Sequence, residues 1–202
     1  MEAGVAEPSG RPLLPGPAWD ALSSEIVHCT KCHLAATRSH AVVFRGSVTP
    51  RVVFVGEAPG AAEDREGLPF VGRSGKLLDA AVERIGLRPS EYGVLNLIKC
   101  RPPRNRFDEL AARTCRPYLD RQFALLRPSC VVTLGARAFH ALTPSRDPVL
   151  EVAGQVQPGT RPPIFPLIHP AAAMRSRRLA ERWKHDVDAL GRWLGRAPAQ
   201  PV

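Results

Sequence analysis

Short apolar runs alternate along this chain with longer stretches of helical periodicity, the pattern of buried strands threaded between helices. Arg51-Val52-Val53-Phe54-Val55 is β-branched and ends at Gly56, which predicts a buried parallel strand feeding a loop. Leu77, Leu78, Ala81, Val82 and Ile85 then recur at helical spacing until Gly86 closes the helix. Tyr92 to Ile98 predicts a second strand, and Asp108 is placed to cap a helix that carries Leu110, Leu119, Phe123 and Leu126 and stops at Pro128. Cys130 to Leu134 predicts a third strand and Ala136 to Leu142 a short helix. Residues 143 to 163, with their Pro, Gly and mixed polar content, predict a loop with one edge strand near Val149 to Val156. Ile164 to Ile168 predicts the last strand, which runs straight into His169-Pro170. In the final helix Leu179, Trp183, Val187, Leu190 and Leu194 form one stripe, with Arg and Asp opposite. The expected fold is a three-layer α/β/α sandwich around a short, mostly parallel sheet. One domain is expected over residues 18–195, between disordered tails at 1–17 and 196–202.

A chain of 202 residues is long enough for one domain with a substantial core. No apolar run reaches the roughly eighteen residues of a membrane span. Met1 to Pro17 also lacks the basic start and apolar stretch of a secretory signal. The formal charge is +9, and only four of the 28 basic residues are lysine. Arginine pairs bidentately with phosphate, so a polyanion such as nucleic acid suits this surface. A GC-rich coding sequence would produce the same bias, so composition alone leaves both explanations open.

Cys29-x-x-Cys32, Cys100 and Cys115 read as ligands rather than disulfide partners. A two-residue spacer lets one tight turn aim two thiolates at a single centre, on which the other two must converge from elsewhere. Zinc and iron-sulfur clusters both accept four thiolates, but a single Cys-x-x-Cys knuckle with a scattered pair favours a [4Fe-4S] cluster. Cys130, inside an apolar run, reads as a small core residue.

In parallel sheets ligands bind beyond the carboxyl ends of the strands, and three segments there carry unusual chemistry. They are Gly56-Glu57-Ala58-Pro59-Gly60, Asn96 with Lys99-Cys100-Arg101-Pro102-Pro103, and His169-Pro170-Ala171. A carboxylate, a carboxamide and an imidazole are thus expected at one edge. Taken singly, each has a plainer explanation: a helix cap, a turn and a structural histidine.

Together with Glu63-Asp64, Gly67-Leu68-Pro69-Phe70-Val71-Gly72 and Asn105-Arg106, these segments and the four cysteines resemble the family 4, iron-sulfur type of uracil-DNA glycosylase, from about Cys29 to Leu194. A covalently trapping branch of that superfamily has Gln in place of Ala58 and a basic insertion that is absent here. Family 5 replaces Glu57 with an apolar residue, so Glu57 favours family 4. The resemblance implies a uracil-DNA glycosylase fold holding a [4Fe-4S] cluster on Cys29, Cys32, Cys100 and Cys115. It implies base excision from single- or double-stranded DNA by a monomer in a prokaryotic cytoplasm, with no membrane partner.

In that reading His169 donates to the departing uracil and Glu57 stabilises the sugar cation and places the water. Asn96 reads the base edge, Phe70 stacks on it, Gly56, Ala58 and Gly60 shape the pocket, and Glu63 crowds the C5 position or serves as a solvated helix-start acid. Arg73 and Ser74 hold a phosphate at a helix start or cap it. Met174 fills the space the base leaves, with Arg175, Arg177 and Arg178 near phosphates. Two other readings remain from sequence: a non-catalytic iron-sulfur nucleic-acid-binding protein, and a glycosylase of altered base preference, such as one for hypoxanthine.

Overall fold

The computed structural model describes residues 16–195. Five strands, β1 (Arg45–Gly46), β2 (Val52–Gly56), β3 (Tyr92–Asn96), β4 (Cys130–Leu134) and β5 (Ile164–Leu167), form one sheet in the order β1-β3-β2-β4-β5. All neighbours pair in parallel except β1, an antiparallel edge. The helices are α1 (Pro17–Val27), α2 (Ala61–Glu66), α3 (Arg73–Arg84), α4 (Glu109–Leu126), α5 (Ala136–Leu142), α6 (Val149–Val152), α7 (Pro170–Ala173) and α8 (Arg177–Trp193).

Strands β2 and β4 are buried at every position, which explains their unbroken apolar sequences. Side chains alternate between the two faces, so Val52 and Phe54 pack with α3 and α8. Val53 and Val55 pack on the other face with α1, α4 and α5. The expected three-layer sandwich is therefore present. On α8 the stripe Trp183, Val187 and Leu190 is buried, and each such side chain contributes about 1.5–3 kcal/mol on leaving water.

Several sequence expectations need correction. Val149–Val152 is a helical turn, not an edge strand, and only Gln157 bridges to Ile164. Pro148 starts this turn, and Arg182 Nη2 (2.7 Å) anchors its end by donating to Ala153 O, so tertiary docking overrides the β-branched propensity. Leu110 points outward at 62% exposure, because the core-facing stripe of α4 runs instead through Ala111, Cys115, Tyr118, Leu119, Gln122 and Leu126. The second strand stops at Asn96 by pairing, although Leu97 and Ile98 still donate to Gly56 O and Glu57 O at 3.0 Å each. Of the expected tails, Gly16 and Pro17 instead open α1, and the rest lie outside the described residues. No described helix is long and apolar enough to cross a membrane.

Candidate active site

The carboxyl ends of β2, β3 and β5 deliver Glu57, Asn96 and His169 to the wall of one cavity of about 810 Å³, within the size range of small-ligand sites. Asn96 is only 1% exposed, and its Oδ1 is buried without a hydrogen-bond partner. A buried acceptor left open costs about 1–3 kcal/mol unless a ligand fills it. Gly56 lies directly beneath. A Cβ there would collide with Asn96 Oδ1 and come within 2.6 Å of the Phe70 ring, so the position accepts only glycine.

Phe70 is buried and adopts a left-handed φ of 55°, a conformation that costs a non-glycine residue about 1–2 kcal/mol. Its ring lies 6.0 Å from that of His169, tilted by 33°. Glu63 holds this loop in place. Its Oε1 accepts from Val71 N at 3.1 Å and Gly72 N at 2.9 Å, and its Oε2 from Gly60 N at 3.1 Å. Gly75, on the first turn of α3, has no room for a Cβ against the Phe70 carbonyl, so the loop rests directly on that helix.

His169 Nδ1 accepts from Ala171 N at 3.1 Å at the start of α7. That contact places the ring proton on Nε2 and makes the other edge of the imidazole a donor. Burial, with the Arg175 guanidinium adding to it, pushes the His169 pKa down to about 4 against an opposing pull from Glu63, so the ring is neutral at pH 7. Glu57 is half-buried, and burial raises its carboxyl above the ordinary range while the Arg137 charge lowers it in part.

On the far side of the β3 exit, Cys100 and Cys115 are buried, whereas Cys29 and Cys32 are half-buried. Arg38 Nη1 donates to Cys100 Sγ at 3.0 Å, and Lys31 N to Cys29 Sγ at 3.5 Å. Burial pushes Cys115 up to about 11, and the neighbouring Cys100 and Cys32 push it further. Cys100 is raised likewise, with Cys32 and Cys29 contributing, so the four sulfurs stand within electrostatic reach of one another. Among the described residues, no group of three or more His, Cys, Asp or Glu is already gathered as ligands of a metal ion.

The profile of the uracil DNA glycosylase superfamily matches residues 43–190, which include every cavity residue discussed above. The chain belongs to that superfamily. Within it the type-4 branch is the match. A type-4 uracil-DNA glycosylase of Saccharolobus solfataricus is 40% identical over 167 residues, spanning 77% of this chain and 76% of that protein. One of Archaeoglobus fulgidus is 36% identical over 186 residues, 88% and 94% of the two chains. A type-5 uracil-DNA glycosylase of Pyrobaculum aerophilum reaches 28% identity over 61% of this chain and 69% of its own.

In this type-4 chain Glu57, Ala58, Gly60, Glu63, Phe70, Arg73, Ser74, Asn96, His169 and Arg175 all line the one cavity. Gly56 is not in the wall but under it. Glu63 is not a freely solvated acid: its carboxylate stands in the cavity wall, fixed there by three backbone amides. Met174 lies outside the cavity wall, 47% exposed at the end of α7, and Arg177 is exposed and paired with Glu181 at 2.9 Å. Cys130 is core, as its apolar neighbours indicated. Sequence reading missed the nearness of Arg137 to Glu57 and the amide of Ala171 behind His169, and neither has a local signal.

Proposed function

We infer that this protein excises uracil from DNA, hydrolysing the N-glycosidic bond to leave an abasic site. The observation that carries the reading is Asn96, in the cavity wall with Phe70, whose buried Oδ1 has no hydrogen-bond partner. A uracil taken out of the stack presents an N3–H to that acceptor, whereas cytosine presents an unprotonated N3 there and leaves it open. Breaking the bond between C1′ and N1 leaves positive charge on the sugar and negative charge on the base. The neutral His169 Nε2–H faces the uracil O2 as that charge grows, and Glu57 faces the sugar and the incoming water. Water oxygen bonds to C1′, and its proton passes to Glu57 or solvent.

Exposed Arg73 and half-buried Ser74 at the start of α3, together with exposed Arg175, line the cavity and support phosphate contact there. Because only the extruded base is read, the reading extends to both single- and double-stranded substrates, acted on by a monomer. Four cysteines within electrostatic reach of one another, the Arg38 donor at Cys100 and a buried lysine beside them fit a thiolate-ligated [4Fe-4S] cluster. When bound it ties the α1 turn, the β3 exit and α4 together and contributes no electron to the hydrolysis. Reduced cysteines of this kind suit a cytoplasmic setting.

Duplex and single-stranded oligonucleotides containing uracil, hypoxanthine or a thymine mispair provide the test. Alkali-labile cleavage at uracil is expected, and the purified protein should be brown with about four irons per chain. Binding without excision would support the non-catalytic alternative, and excision of hypoxanthine but not uracil would remove the role given to Asn96.

A further inference from the structure

Lys99 is, among the described residues, the only cation with a buried side chain, at 1% exposure, and it forms no ion pair with a carboxylate. Its ammonium makes one hydrogen bond, from Nζ to Asn96 O at 2.6 Å. The titratable groups within electrostatic reach of it are the thiols of Cys115 and Cys100, the latter its neighbour in sequence. A buried ammonium without a carboxylate partner is costly unless something else anionic answers it. Four thiolates outweigh the small net positive charge that iron and inorganic sulfide together leave on a [4Fe-4S] core, so the cluster read at Cys29, Cys32, Cys100 and Cys115 would supply that anion.

We propose that Lys99 is a positioning residue that couples the four-cysteine centre to base recognition: the anionic centre holds the ammonium, and the ammonium holds Asn96 by its main-chain oxygen. The proposal rests on the glycosylase and cluster readings above and adds a link between them. The same short stretch carries more than Asn96. Leu97 N donates to Gly56 O and Ile98 N to Glu57 O, each at 3.0 Å, and Val42 N donates to Lys99 O at 2.7 Å. Residues 96–99 therefore form one strap between the cysteines, the carboxamide and the main chain of Glu57. His169 and Phe70 hang on other loops, so loosening the strap should disturb base reading selectively.

The first measurement uses wild-type protein before and after chelation of its iron, following amide hydrogen exchange. Exchange at Leu97 and Ile98 should quicken by about tenfold, the size expected for one charge-assisted hydrogen bond, while the amides of Gly72 and Ala171 keep their protection. Unchanged exchange at Leu97 and Ile98 overturns the coupling.

The second measurement compares Lys99→Met with wild type as holoproteins. Bleaching of the visible cluster absorbance by chelator should be about tenfold faster, and KM for a uracil-containing strand should rise more than single-turnover kcat falls. Lys99→Arg, which keeps the cation, should restore iron retention. A Met variant that holds iron and binds uracil as the wild type does also overturns it. If the wild-type holoprotein leaves uracil in place, the glycosylase reading fails while the exchange comparison still decides the coupling. If the wild-type protein purifies without iron, there is no anionic centre and the proposal falls.

Discussion

His169 shows how a single contact sets chemistry. With Nδ1 occupied by the Ala171 amide, the ring offers only Nε2–H to the cavity, and burial keeps it neutral down to about pH 4. Removing this donor in His169→Ala should slow single-turnover uracil excision by about a hundredfold, the loss typical of one preorganised donor to a developing oxyanion. Affinity for uracil-free duplex should hardly change, because the arginines at the mouth are untouched; a wild-type excision rate would remove His169 from the leaving-group role. A nitrogen-detected NMR titration should show no protonation of this ring until the pH nears 4. The unfolded chain takes up that proton near the usual 6.5, so the folded state loses stability as pH falls from 6.5 toward 4. A midpoint near 6.5 in the folded protein would contradict the neutral donor. The acid limb of the excision rate should instead follow Glu57, whose carboxyl burial holds above the ordinary range. Sequence placed His169 at a strand end beside a rigid proline, but the tautomer depends on a folded contact that no spacing displays.

At the scale of elements, what was legible followed periodicity and what was not followed docking. The apolar runs at 52–55, 130–134 and 164–167 marked strands because both faces are covered, and the stripe of α8 marked a helix against the sheet. The turn at 149–152 carries a strand signal in Val149 and Val152, which are β-branched, whereas the partners that hold it helical, Arg182 and β5, lie elsewhere in the chain. Glu63 is the same case for the site. It sits on α2 with the look of a helix-start acid, yet it fastens Gly60, Val71 and Gly72 and so holds the strained Phe70 beside Asn96. Glu63→Gln replaces one acceptor oxygen with an amide group that faces backbone N–H groups, leaving at least one unpaired at a cost of about 1–3 kcal/mol. Thermal unfolding should shift down by about 2–8 °C, and KM for uracil-containing DNA should rise as the Phe70 loop loosens. A variant with wild-type Tm and KM would show that the carboxylate does not brace the pocket.

Across the whole molecule the charge of +9 is not evenly used. Arg45 and Arg84 pair with Asp79 and Asp188, where they fasten β1 to α3 and α3 to α8, and Arg116 and Arg182 pair with Asp120 and Asp186 one turn along their own helices. Arg73, Arg104, Arg106 and Arg175 are exposed and form no ion pair among the described residues, and they stand on the cavity wall or the loop that flanks it. This division separates two kinds of arginine that composition alone cannot tell apart. If the free set meets phosphates, DNA affinity should fall steeply with salt, and each contact removed should lower the log–log slope by about 0.9. Arg175→Ala should therefore weaken binding to uracil-containing and uracil-free duplexes alike and flatten the salt dependence by about one unit. Arg84→Ala, which breaks the two-pronged contact with Asp188 between α3 and α8, should instead lower Tm and leave the salt slope where it was. Equal effects of both substitutions on the slope would mean that net charge alone draws this protein to DNA, and that the placement of the unpaired arginines around the cavity has no part in it.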